Sequence, residues 1–159
     1  MKILFLCTGN SCRSILAEAT FNALFPETIR AMSAGSHPAG YVHPKTIALL
    51  KKKSIPVDGL YSKSWEELRE VPDVVITVCD DASGEACPLY LEKALRSHWG
   101  VFDPAKVVGD ERFVEAEFER AYRILRFRIE GLLSFFHSGQ MGSPVLLKKE
   151  LDRIGTLMP

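Results

Sequence analysis

The segment CTGNSCRS, Cys7 to Ser14, follows directly on the apolar run ILFL and sets a thiol and a guanidinium with five residues between them. A loop that leaves a strand and enters a helix aims successive backbone N–H groups at one point, and the positive end of the helix dipole favours an anion there. Gly9 lets such a loop curl, Asn10 tolerates a left-handed backbone, and Arg13 at the helix start offers a planar fork to two oxygens. Thr8, Gly9, Asn10, Ser11, Cys12, Arg13 and Ser14 are therefore expected to bind a tetrahedral oxyanion, with Cys7 beneath it as the nucleophile. The same positive field is expected to favour thiolate, lowering the Cys7 pKa from ~8.5 into the range of roughly 3.5 to 7.5, with Ser14 donating a hydrogen bond to the sulfur.

The spacing of apolar positions supplies the elements that would hold this loop. Ile3–Leu6 is an uninterrupted apolar run, suited to a strand covered on both faces. Residues 11–25 follow with Leu16, Ala19 and Ala23 at helical spacing and stop at Pro26. TIRAMSAG (28–35) reads as a second strand, HPKTIALLKKKS (43–54) as a helix with Pro44 in its first turn, and WEELREV (65–71) as a short helical piece closed by Pro72. DVVITVCD (73–80) is a further buried strand, and residues 86–110 are irregular apart from one helical turn and a short strand near Ser97–Val101. From Asp110, positions Val114, Phe118, Ala121, Tyr122, Leu125, Ile129, Leu132, Leu133 and Phe136 step by threes and fours, which predicts a long amphipathic helix.

This order predicts an α/β fold, a single-domain parallel sheet flanked by helices on both faces, over residues 1–137. Residues 138–159 are expected to be a tail with a helical turn or two, packed on the domain or extending it. In such a sheet ligands bind beyond the carboxyl ends of the strands. Cys7 and Cys79 both fall at strand ends on that edge.

Composition narrows the partners. The chain has 159 residues, enough for one core, and its 20 basic and 20 acidic side chains balance, so neither nucleic acid nor an anionic membrane surface is expected. MKILFLCTGN falls short of a secretory apolar region, and no run is long enough to span a bilayer, so a cytoplasmic protein is the expectation. The chain is also expected to be a monomer. Four cysteines in a reducing compartment point to reactive or buried thiols. No metal is expected, because no C-x-x-C occurs and His37, His43, His98 and His137 are scattered.

CTGNSCRS resembles the catalytic loop of the low-molecular-weight protein tyrosine phosphatase superfamily, and the order of elements agrees over nearly all of residues 1–137. The resemblance implies that Cys7 is nucleophile, Arg13 oxyanion clamp and Ser14 thiolate stabiliser, that Asn10 holds the loop's shape, and that Asp103 in FDPAK is the general acid. Phosphatases of this group carry a tyrosine soon after the Asp-Pro, where this chain has Ala105 and Lys106. TVCDDASGEACP, with Cys79 and Cys87, and HWGVFDPAK resemble instead the arsenate reductases of the superfamily.

That likeness implies reduction of arsenate to arsenite for arsenic detoxification, by a relay from Cys7 to Cys79 to Cys87, with no bound cofactor and an external reductant. A low-molecular-weight phosphatase and a non-catalytic anion sensor are the alternatives. The reductant is open between thioredoxin and glutathione or glutaredoxin, since the seven residues between Cys79 and Cys87 exceed the spacing of the thioredoxin-coupled form. A helix over that span would hold the two Cα atoms ~12 Å apart where a disulfide needs roughly 7 Å or less, so DDASGEACP is expected to be the moving part. Cys12 is read as a packed or protective thiol. Asn10, Glu18 and Ser33 match a potassium pattern of some relatives, but Trp65 stands where a carboxylate would align, and the ion is not expected.

Overall fold

A computed structural model of the chain describes residues 1–79 and 91–159. The first strand, β1 (Lys2–Cys7), is inaccessible from Ile3 onward, as its unbroken apolar run requires. Helix α1 (Arg13–Leu24) starts later than its pattern suggests, because residues 11 and 12 still belong to the loop, and Cys12 has non-helical angles. It ends at Phe25, held extended by the following Pro26. Next come β2 (Arg30–Gly35) and α2 (Pro44–Lys52), the latter opened by Pro44 and capped by His43 Nδ1, which accepts from Lys45 N at 3.1 Å.

Of the expected helical piece at 65–71, only a three-residue 3-10 turn, Trp65–Glu67, is formed. Pro72 stops it, and Leu68 already has extended angles. Strand β3 (Val74–Thr77) is shorter than its apolar run, and β4 (Leu95–His98) begins and ends before the expected strand. Helix α3 (Glu111–His137) is the long helix of the pattern, capped by Asp110, which accepts from Phe113 N at 2.9 Å. The tail forms an eleven-residue helix, α4 (Pro144–Ile154), with Ser143 as its cap.

Among the described residues, the strands are all parallel in the order β2-β1-β3-β4. Alternation along β1 divides the core. Ile3, Phe5 and Cys7 face the larger cluster, to which α1, α2, α3 and α4 contribute, whereas Leu4 and Leu6 face a smaller one closed by Met32, Trp65, Leu68, Leu91 and Ala94. Among the described residues, no helix is long and apolar enough to cross a membrane.

The register sets Cys7 beside Gly35 and Leu6 beside Thr77, so the chain leaves β1 between two neighbours. Gly35 is required there, since a Cβ would overlap the Thr8 carbonyl oxygen and crowd Asn10. Gly35→Ala is expected to cost about 1–3 kcal/mol, read as a lowered urea midpoint with the slope unchanged.

Candidate active site

The loop between β1 and α1 is held from outside by its carbonyls. Thr8 O accepts from His37 N at 2.9 Å and Gly9 O from Ala39 N at 2.8 Å, with Ser62 Oγ also donating to Gly9 O. Ser11 O accepts from His43 N at 3.0 Å and Thr46 Oγ1 at 3.1 Å. With these oxygens engaged outward, backbone N–H groups of the loop can be presented inward, as Asn10 N is toward Cys7 Sγ, which is what an anion cradle requires. Residues 7–13, Asp103 and Lys106 line a cleft of about 220 Å³. A larger groove, about 350 Å³, lies between α2 and α3 among Lys45, Lys52, Glu111 and Glu115, but it is lined by no cysteine and no arginine. The chemistry belongs to the smaller cleft.

Cys7 lies at the base of this cleft, 2 % exposed. Asn10 N donates to Cys7 Sγ at 3.1 Å, and Ser14 Oγ lies 2.9 Å from the same sulfur. Asn10 has a left-handed backbone, φ 47°, which the short polar side chain tolerates. Its Oδ1 accepts from Lys63 N at 2.9 Å, which fixes the amide so that Nδ2 donates to Ser14 Oγ at 2.8 Å and Ser33 Oγ at 3.0 Å. Ser14 Oγ is therefore an acceptor toward Asn10, leaving its hydrogen for Cys7.

The expected depression of the Cys7 pKa is not met. Burial pushes the thiol up; the Ser14 and Asn10 hydrogen bonds pull it down, the neighbouring Cys79 raises it, and Arg13 lowers it least. The Arg13 guanidinium is bonded elsewhere in the cleft. Its Nη2 lies 3.3 Å from Asp103 Oδ2, and Nη1 donates to Val101 O at 3.0 Å.

The structure thus brings Cys7, Thr8, Gly9, Asn10, Ser11, Cys12, Arg13, Ser14 and Asp103 together. Asp103 Oδ1 also accepts from Ala105 N at 3.0 Å, so one carboxylate oxygen caps its own turn while the other faces Arg13. Cys79 is buried beyond the end of β3, with its Sγ 3.6 Å from Thr8 Oγ1. Cys12 is 4 % exposed and has its Sγ 3.8 Å from Ser11 Oγ; burial raises its pKa. Cys7, Cys12 and Cys79 are free thiols. Cys87 and the whole of DDASGEACP lie outside the described residues.

Three residues that pattern reading missed support the loop: Lys63, Thr46 and Ser62. Behind Asn10, Ser33 Oγ donates to Glu18 in a short bond, and the Lys63 ammonium lies 3.8 Å from the Glu18 carboxylate. Lys63 Nζ also donates to Tyr61 O at 2.9 Å and lies 4.3 Å from the centre of the Tyr61 ring. Burial pushes Glu18 up and Lys63 down, while each partner's charge acts to restore the other. An added potassium ion would meet this ammonium beside Glu18, so the residues do not fit the ion.

The profile of the low molecular weight phosphotyrosine protein phosphatase family matches residues 2–141. An arsenate reductase of Bacillus licheniformis is 35% identical over 135 residues, covering 81% of this chain and 96% of that protein. An arsenate reductase of Bacillus subtilis is 34% identical over 119 residues, covering 74% of this chain and 84% of that protein. Among solved structures, an arsenate reductase from Archaeoglobus fulgidus matches with a TM-score of 0.63 at 26% identity, covering 80% of this chain and 98% of that one. The chain belongs to the low molecular weight phosphotyrosine protein phosphatase family.

Two outcomes follow from the hydrogen bonding. Ser14→Ala removes the larger of the two hydrogen-bond contributions that lower the Cys7 pKa. The pH profile of Cys7 alkylation should therefore move to higher pH. Lys63→Met leaves Glu18 buried without its cation and should destabilise by roughly 3 kcal/mol at about pH 8. The loss of the ammonium raises the folded-state pKa of Glu18 further above its ordinary 4.5. A raised carboxyl contributes stability below its unfolded pKa and loses it as pH rises through the folded value, so the deficit should shrink at about pH 5. Urea midpoints at the two pH values check it.

Proposed function

We propose that this chain reduces arsenate to arsenite through a relay of three thiols, Cys7, Cys79 and Cys87, in arsenic detoxification. The likeness to arsenate reductases supports the reaction, and the observation that carries the relay is the second thiol, Cys79, buried against Thr8 of the oxyanion loop. A hydrolytic phosphatase requires no such thiol.

Arsenate enters the cradle and takes Arg13 from Asp103 by offering two oxygens to the guanidinium. Asp103, freed from the ion pair, takes up a proton from solvent and passes it to the departing hydroxyl of hydrogen arsenate as the Cys7 sulfur bonds to arsenic and the oxygen leaves as water. Burial works against charge on the sulfur, so the Cys7 thiol loses its proton to solvent as it attacks, and Ser14 and Asn10 donate to the sulfur that carries the charge. Cys79 then attacks the Cys7 sulfur: an S–S bond forms, the S–As bond breaks, and its electron pair stays on arsenic, which leaves as arsenite. Phosphorus(V) has no comparably accessible reduced state, so a phosphoryl adduct could only be hydrolysed. Cys87 next attacks Cys79, releasing Cys7 as a thiolate and leaving a Cys79–Cys87 disulfide. An external thiol reductant, thioredoxin or glutathione with glutaredoxin, restores the two thiols by exchange.

Arsenate added without reductant should consume about two thiols per chain and leave Cys79 joined to Cys87, as read by thiol counting and peptide mapping. Cys87→Ser should release about one equivalent of arsenite and stop with Cys7 joined to Cys79, while Cys79→Ser and Cys7→Ser should release almost none. If arsenate consumes no thiols while aryl phosphates turn over quickly, the chain is a phosphatase and the reductase reading is lost.

A further inference from the structure

The family match stops at residue 141, and α4 lies entirely beyond it. This added helix lies against the segment that leads from β4 to Asp103. Ser97 Oγ donates to Asp152 at 2.8 Å, Lys148 Nζ donates to Arg96 O at 2.6 Å, and Trp99 Nε1 donates to Leu151 O at 2.9 Å. Leu147, Leu151 and Ile154 are buried in the larger cluster, as is Trp99. At Gly155 the tail approaches so closely that a Cβ would lie 2.5 Å from His98 O and 2.7 Å from Trp99 Cδ1.

Arg128 of α3 joins the tail to the same segment. Its side chain is buried, 3 % exposed, and its partners among the described residues are neutral. Nη1 donates to Trp99 O at 3.0 Å and Gly100 O at 3.2 Å, Nε donates to Leu157 O at 3.1 Å, and Nη2 lies 3.7 Å from Met158 Sδ. Burial opposes its charge. A guanidinium kept in such a place is a poor choice for stability alone, because an apolar side chain of similar size would avoid the desolvation. What a guanidinium adds is a fixed fan of donors, set here on consecutive carbonyls.

The next residue, Val101, is held on both sides: its N–H donates to Val78 O at 2.9 Å, and its carbonyl accepts from Arg13. Asp103 follows, facing Arg13. We infer that α4 and the residues after it form a brace, acting through Trp99 and the positioning residue Arg128, that sets Asp103 at the distance from the oxyanion loop which proton transfer requires. The inference rests on the proposed role of Asp103 as general acid.

The test is a double-mutant cycle. Gly155→Ala and Arg128→Met are each made alone and together with Asp103→Asn. Single-turnover thiol consumption by arsenate is measured across pH, inorganic phosphate binding is measured by calorimetry, and thermal melting checks that each variant is folded at the assay temperature. Each brace variant should slow the step about tenfold with phosphate affinity unchanged, and should add little further slowing in the Asp103→Asn background. Should either core change prevent folding, Asp152→Ala, which removes the bonds to Ser97 and Lys148 and leaves the apolar core intact, carries the same cycle. A folded variant that keeps the full rate, or one that slows Asp103→Asn as much as it slows the unmodified protein, overturns the brace. If Asp103→Asn alone leaves the rate unchanged, the brace falls together with the acid role. Arsenite release lost in Cys79→Ser then shows that the reductase reading still stands.

Discussion

The side chain of Asn10 is the constraint on which the rest of the site depends. One amide carries three hydrogen bonds, from Lys63 N and to Ser14 and Ser33, while the backbone N–H of the same residue reaches Cys7. The left-handed backbone at Asn10 turns the chain sharply enough for its N–H and its side chain to serve the same sulfur, one directly and the other through Ser14. Because Oδ1 is committed to a backbone donor, the amide cannot flip without leaving a buried group unpaired, at a cost of about 1–3 kcal/mol. The polarity of the whole network is thereby fixed: hydrogens run outward from Asn10 to both serines, and from the serines to Cys7 on one side and Glu18 on the other.

The site also balances interactions that oppose one another. Depth removes Cys7 from water and works against its charge, while the hydrogen bonds work for it. Arg13 is paired with Asp103, so clamp and acid occupy each other until a better partner for the guanidinium arrives. On the proposed chemistry this pairing couples two events: seating of the oxyanion on Arg13 and release of the carboxyl that must protonate it. A competitor with two well-placed oxygens can displace a single carboxylate oxygen, whereas a ligand offering one oxygen has less to exchange.

Much of this arrangement was readable from pattern. ILFL before CTGNSCRS located the first strand and the loop, because a strand buried on both faces leaves no polar interruption and the loop needs glycine and arginine at set places. The long helix was equally plain from its spacing. Lys63 was not: in GLYSKSW it looks like a solvated loop residue, and only the fold carries its backbone to Asn10 and its ammonium to Glu18. The rise in the Cys7 pKa was hidden for a related reason, since the spacing of residues reveals donors but not depth. WEELREV failed as a helix because seven residues between Ser64 and Pro72 leave too few hydrogen bonds to offset nucleation, and Trp65 and Leu68 instead pack beneath the sheet.

The placement of α4 also bears on how the molecule meets its own copies. β4 is an outer strand, and an outer strand offers unpaired backbone groups to any extended chain that passes. Here the Arg96 carbonyl is occupied by the Lys148 ammonium, while Asp152 takes the Ser97 hydroxyl beside it. A charged helix closes that margin of the sheet and puts lysine and aspartate where a neighbouring strand would have to dock. Edge-to-edge association through β4 is thereby discouraged by the same helix that holds Trp99 in place.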